Sequence, residues 1–189
     1  MDIETPHGPA RAHVQTAEGA VATMVLGHGA GGGVSAPDLM VAARVALGRQ
    51  VSVALVEQPY LVAGRKSQAP AAQLDAAWIA AVERLRDDRL PLIVGGRSAG
   101  ARMACRTAGE TGASAVLCLA FPVHPPGKPE KSRLAELDAV RVPVLVVQGE
   151  RDPFGMPPEA PNRTVVKVAG DHSLKSDLEA VAAAIENWL

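Results

Sequence analysis

Aromatic side chains are scarce in this chain: Tyr60, Trp78, Phe121, Phe154 and Trp188 are all it has in 189 residues. So few rings argue against the stacking platforms on which single-stranded nucleic acids are bound. An excess of either charge is missing too. Lys and Arg number 19 against 20 Asp and Glu, the net charge is −1, and no basic block forms a phosphate-binding footprint. Nucleic acid is therefore not an expected partner. Cysteine is limited to Cys105 and Cys118, one on an expected helix and one inside an expected strand. That pattern fits buried, reduced thiols in a cytoplasmic protein better than a disulfide framework. No stretch approaches the roughly 18 uninterrupted apolar residues of a membrane span. The opening Met1-Asp2-Ile3-Glu4-Thr5-Pro6 lacks the apolar centre of a signal peptide. A cytoplasmic location without a membrane partner is expected. Histidines and carboxylates show no metal-ligand spacing, and no Gly-Lys-Ser/Thr follows a glycine run. Neither a metal nor a cofactor is expected.

Apolar runs bounded by glycine and polar loops are plentiful. Val21 to Leu26, Val51 to Val56, Leu90 to Val94, Ala113 to Phe121, Val142 to Val147 and Thr164 to Val168 read as strands covered on both faces. Between them lie helical patterns. Ser35 and Asp38 resemble a capping box ahead of a helix with Leu39, Met40, Ala43 and Leu47 on one face. Leu74, Trp78, Val82 and Leu85 follow helical spacing, and a closing helix is expected from Leu174 to Leu189. Strands alternating with helices predict an α/β fold with a mostly parallel central sheet and helices on both faces. The chain reads as a single domain, 1–189, with a possible edge hairpin over 1–16. The proline-rich Phe121-to-Arg133 stretch leaves the carboxyl end of a strand, where open α/β sheets bind ligands. It is either a wall of the cleft or a rigid connector.

Gly96-Arg97-Ser98-Ala99-Gly100 sits between a strand and a helix, the context a nucleophile elbow requires. A serine at so tight a turn projects its hydroxyl above the sheet, and the next N–H, that of Ala99, opens a helix where it can face negative charge. A serine hydroxyl needs a base, and the base needs a carboxylate to fix its tautomer. Asp152 and His172 follow the fifth and sixth core strands in the order Ser…Asp…His, so parallel topology brings all three to one sheet edge. Glu150 and Asp171 are the rival acids. A second oxyanion donor is expected in the loop His28-Gly29-Ala30-Gly31, from Ala30 or else Gly29. His124 and Pro125 in the proline-rich loop and His28 in the glycine loop are candidates for substrate contact, with a structural hydrogen bond the alternative for His28. Gly27-x-Gly29-x-x-Gly32, with Glu57 downstream, also meets the dinucleotide fingerprint. An NAD(P)-binding reading leaves Ser98, Asp152 and His172 unexplained.

With Leu26-Gly27-His28-Gly29-Ala30-Gly31-Gly32, Gly95 to Gly100, Phe121 to Pro129 and Gln148 to Gly155, the chain resembles the α/β-hydrolase superfamily over roughly residues 20 to 189. The likeness is to its small, lidless, dienelactone-hydrolase-like members, in a branch of bacterial hydrolases related to a subunit of a eukaryotic histone-acetyltransferase complex. The resemblance implies Ser98 as nucleophile, Asp152 as acid and His172 as base. The expected activity is cleavage of small soluble carboxylic esters or thioesters through an acyl-enzyme. The expected partner is thus a small ester-type molecule; a homo-oligomer is possible but not predicted. The alternative from another class is a non-catalytic binding module on the same scaffold.

Overall fold

A computed structural model describes residues 1–189. Two short strands open the chain, β1 (Asp2–Ile3) and β2 (Ala10–Gln15), followed by β3 (Ala22–Gly27), α1 (Pro37–Gly48) and β4 (Val51–Glu57). Next come α2 (Pro59–Val62), α3 (Ala71–Leu85), β5 (Leu92–Arg97), α4 (Ala99–Thr107) and β6 (Ala115–Leu119). The chain ends with α5 (Leu134–Asp138), β7 (Val144–Gly149), β8 (Arg163–Val168) and α6 (Leu178–Trp188). One 8-stranded sheet runs in the order β1-β2-β4-β3-β5-β6-β7-β8. Every pair from β4 to β8 is parallel, and β1 and β2 are antiparallel at one edge.

The sheet is buried on both faces because each central strand feeds two cores. Val25, Val94, Val116 and Val146 point to the side of α3, α4 and α5, where Trp78, Met103 and Leu137 pack. Their neighbours Met24, Leu26, Ile93, Leu117, Leu145 and Val147 point to the side of α1 and α6, with Leu39, Val181 and Ile185. This period-2 split of an unbroken apolar run is what a strand sandwiched between helices requires. Strand order reverses at β3, which β4 flanks on one side and β5 on the other. Crevices at such reversals open above the carboxyl ends of the strands. Here the loop after β3 and the turn after β5 stand side by side, with Gly27 paired to Gly96.

Local details depart from the sequence reading. Ser35 and Asp38 form no capping box: α1 starts at Pro37 with Ala36 as N-cap and no side-chain cap, because Asp38 is turned inward and fully buried. Met40 is 46% exposed, so the apolar face of α1 runs instead through Leu39, Val41, Ala42, Ala43 and Ala46. The last helix begins at Leu178 rather than Leu174, where the Asp177 carboxylate accepts from Ala180 N at 2.9 Å and Leu174 has φ 53°. The short α5 follows the proline-rich loop and buries Leu137. Cys105 and Cys118 are free and buried, with their sulfurs 3.5 Å apart. No helix is long and apolar enough to cross a membrane.

Trp78 is the largest fully enclosed side chain. Trp78→Ala is expected to lower the unfolding free energy by about 3–5 kcal/mol, read from urea denaturation; a change under about 1 kcal/mol would show that this core collapses around the gap.

Candidate active site

The turn after β5 is shaped by crowding. A Cβ on Gly96 or on Gly100 would collide with the Gly27 carbonyl oxygen of β3, and one on Gly95 with the Leu117 carbonyl of β6. Only glycine lets the turn descend so close to its neighbours. Between them Ser98 adopts φ 53° and ψ −108°, a strained conformation for a residue with a side chain. Ser98 N–H donates to Leu119 O at 2.9 Å, and Ser98 O accepts from Arg102 N at 3.1 Å, so both sides of the strained residue are latched. The hydroxyl is left at the sheet edge at the start of α4.

Asp152 and His172 come to the same edge from the loops after β7 and β8. His172 Nε2 lies 2.9 Å from Ser98 Oγ, and His172 Nδ1 lies 2.8 Å from Asp152 Oδ2. A carboxylate only accepts, so Nδ1 carries the proton and Nε2 is the acceptor for the Ser98 hydroxyl. The Asp152 side chain is entirely buried and the His172 side chain 16% exposed. Asp152 is held by Gln148 Nε2 at 2.8 Å on Oδ2 and by Phe154 N–H at 2.8 Å on Oδ1. The same Gln148 nitrogen reaches Phe121 O at 3.1 Å and Gly155 O at 2.9 Å, which ties the Asp152 loop to the start of the proline-rich loop. The Phe154 ring stacks on His172 with centroids 4.0 Å apart. The rival acids point elsewhere: Glu150 is exposed, and Asp171 accepts from Ser173 N–H and Oγ–H, which lower its pKa.

The glycine loop after β3 faces Ser98 across the strand reversal. His28 is buried; its Nδ1–H donates to Gly29 O at 2.8 Å, and its Nε2 accepts from Gln58 N–H at 3.1 Å. In a trans peptide the carbonyl and the following N–H point in opposite directions. Fixing the Gly29 carbonyl inward therefore turns the Ala30 N–H outward. Tyr60 Oη–H holds the Ala30 carbonyl at 3.3 Å. Likewise the Ser98 carbonyl runs along α4, so the Ala99 N–H points away from the helix. Neither amide has a partner within the protein. Ala30, Ser98 and Ala99 line one cleft.

Residues 20–186 match the model of the alpha/beta hydrolase domain family. The chain belongs to that family. Solved structures share its architecture over the whole chain at low identity. Est1E from Butyrivibrio proteoclasticus with ferulic acid bound is 17% identical, with a TM-score of 0.78 and coverage of 100% of this chain and 97% of that one. A lidless α/β serine hydrolase from Xanthomonas campestris is 20% identical, with a TM-score of 0.76 and coverage of 100% and 94%. Dienelactone hydrolase from Anabaena variabilis is 17% identical, with a TM-score of 0.78 and the same coverage, 100% and 94%. No curated protein sequence gave a match.

In this α/β-hydrolase domain Ser98 opens onto a cleft of about 350 Å³ lined by Ala30, Ala99, Pro122, Arg133, Phe154 and His172 among others. Gly29 does not line it, so Ala30 is the better placed of the two candidate donors. His124 and Pro125 do not reach it either: His124 Nδ1–H donates to Pro125 O at 2.9 Å and packs against Gly155, so the ends of the proline-rich loop form the wall. His28, below the loop, braces it and makes no contact with the cleft. The dinucleotide fingerprint is not matched geometrically, because α1, the helix that follows the glycine loop in the chain, begins only at Pro37, while Glu57 pairs with His13 at 2.9 Å.

Arg97 lies inside the elbow motif, and its role was not read from sequence. Its Nη2 donates to His172 O at 2.9 Å, and its Nε lies 2.9 Å from the buried Asp38 carboxylate. One guanidinium therefore joins the His172 loop, the turn after β5 and α1. Burial pushes the Asp38 carboxyl above its ordinary value, and Arg97 opposes that shift.

Burial lowers the His28 pKa below the ordinary imidazole value of 6.5. A buried neutral histidine that charges on unfolding makes the unfolded state bind more protons, so its contribution is full above that value and is lost as the pH falls below it. Wild type should therefore lose more thermal stability between neutral and mildly acidic pH than His28→Gln, which keeps one donor and one acceptor. Equal losses in the two melting curves would remove His28 as a source of acid sensitivity.

Proposed function

We propose that this α/β hydrolase is a serine hydrolase of small, soluble carboxylic esters or thioesters, with Ser98 as nucleophile, His172 as general base and acid, and Asp152 as the partner that orients and stabilises the imidazole. The observation that carries this reading is the unbroken hydrogen-bonded line from the Ser98 hydroxyl through His172 to the buried Asp152 carboxylate, 2.9 and 2.8 Å. Ser98 Oγ attacks the substrate carbonyl carbon while its proton passes to His172 Nε2. The carbonyl oxygen becomes an oxyanion facing the Ala99 and Ala30 N–H groups, each worth roughly 3–4 kcal/mol of transition-state stabilisation in comparable sites. Collapse breaks the acyl C–O or C–S bond, and the leaving group takes the proton from Nε2. Water, activated by the same nitrogen, then attacks the acyl-enzyme, and Ser98 Oγ departs with its proton restored.

The Phe154 ring, stacked on His172, restricts imidazole rotation between the two proton transfers. Arg97 holds the backbone of the base loop and acts on the chemistry only by positioning. With no cap domain over it, the cleft suits substrates that dissolve in water.

A fluorophosphonate probe should label wild type and leave Ser98→Ala unlabelled. Hydrolysis of 4-nitrophenyl acetate should fall by about four orders of magnitude or more in Ser98→Ala and by about 10⁴ in Asp152→Asn. A folded wild type that neither labels nor hydrolyses would instead favour a binding module on a hydrolase scaffold.

A further inference from the structure

The Ser98 cleft carries more positive charge than this chemistry uses. Arg97, Arg102 and Arg133 all line it, and no Asp or Glu does. Two of the three are paired. Arg97 meets Asp38 at 2.9 Å, and Arg102 grips Glu136 through Nε and Nη2 at 2.8 and 2.5 Å. Arg133 is fixed by its backbone, whose N–H donates to Val123 O at 2.7 Å, and none of the ion pairs around it, Arg97–Asp38, Arg102–Glu136 and Arg106–Glu136, includes its guanidinium. The acid one turn along, Glu136, is taken by Arg102 and by Arg106, whose Nη1 lies 3.3 Å from it.

Arg133 is half-buried beside a second cation. Burial first, and then the neighbouring Arg102, lower its pKa, and the Glu136 carboxylate, already shared by Arg102 and Arg106, opposes that shift. A surface arginine would avoid such a place, since water solvates a free guanidinium better than a cleft wall does. An anion bound there would relieve both penalties. A guanidinium presents a planar fork that matches carboxylate oxygens in pairs, which gives orientation as well as attraction. Beyond the cleft, Arg65 and Lys66 border the hollow beside Ala30 and Gly31, so the mouth carries the same sign of charge.

We propose that Arg133 is a specificity residue that binds a carboxylate carried by the ester substrate, in its acyl or its alcohol part, so that the preferred substrates are anionic monoesters of dicarboxylic or hydroxycarboxylic acids. The inference rests on the Ser98 reading and deepens it. Arg133 takes no part in bond breaking; it holds the far end of the substrate while the carbonyl meets Ser98.

The test compares kcat/KM for two matched pairs. In 4-nitrophenyl hemiglutarate against 4-nitrophenyl valerate the carboxylate is in the acyl chain; in 4-carboxyphenyl acetate against 4-carbamoylphenyl acetate it is in the leaving group. Wild type should favour the charged member of at least one pair by about tenfold or more, expressed chiefly in KM, as a charge-assisted bidentate contact implies. The preference should shrink with added salt. Arg133→Gln should bring the ratio close to one, and Arg133→Lys should give an intermediate value, because a point charge lacks the fork. Wild type that hydrolyses the neutral esters without preferring either charged one overturns the carboxylate site and leaves the Ser98 reading standing. A preference that survives in Arg133→Gln also overturns it. Wild type that hydrolyses none of the four esters, and is not labelled by fluorophosphonate, overturns the Ser98 reading and this inference with it.

Discussion

Two glycines of the elbow crowd one atom, the Gly27 carbonyl oxygen. Gly96 and Gly100 both pass so near it that a methyl group on either would overlap it. The approach follows from topology: β3 and β5 are direct neighbours at the reversal of strand order, β3 ends in Gly27, and β5 pairs Gly96 with it. With the backbone pressed down on both sides, the residue between must rise, and Ser98 does so at φ 53°. Backbone strain of this kind costs on the order of 1–3 kcal/mol and persists only where the surroundings over-determine it. The latches to Leu119 and Arg102 provide that here. The same closeness sets the glycine loop against the start of α4, so one contact brings Ala30 and Ala99 to the cleft that Ser98 lines.

A second layer of contacts locks the parts that topology only brings near. The loops carrying Asp152 and His172 are long enough to drift, and three side chains restrain them. Arg97 ties the His172 carbonyl to buried Asp38. Gln148 joins the Asp152 carboxylate to Phe121 and Gly155, and Phe154 closes over the imidazole. Partly buried ion pairs finish the job behind the elbow, where Arg102 and Arg106 bind Glu136 and Asp75. Each restraint bridges elements far apart in the chain, so the site is rigid because the fold is complete around it.

That distance explains what could be read in the sequence and what could not. Buried parallel strands announce themselves as continuous apolar runs, and the chain order of Ser98, Asp152 and His172 encodes a shared sheet edge before any coordinate is known. Side-chain direction in loops is not encoded that way. His124 and Pro125 lie in the loop that walls the cleft, yet the backbone turns them from it, and Pro122 and Arg133 at its ends face inward instead. His28 lies beside the glycine loop but beneath it. Asp38 has the composition of a cap, and a tertiary partner, Arg97, outweighed the local one. Arg97, Gln148 and Phe154 act through contacts that no spacing rule captures. A polar residue inside each motif is the signal that could have marked the first two, since an arginine in an elbow or a glutamine ending a buried strand needs a partner.

If Ser98 is the nucleophile, an acyl group resides on its oxygen during turnover. Rapid acid quench of a reaction with 4-nitrophenyl acetate, followed by intact-mass and peptide mapping, tests it directly. The account predicts one acetyl group on the peptide that carries Ser98, formed before steady state and gone when substrate is exhausted. Acetylation at any other residue, or turnover in which Ser98 is never modified, would contradict it.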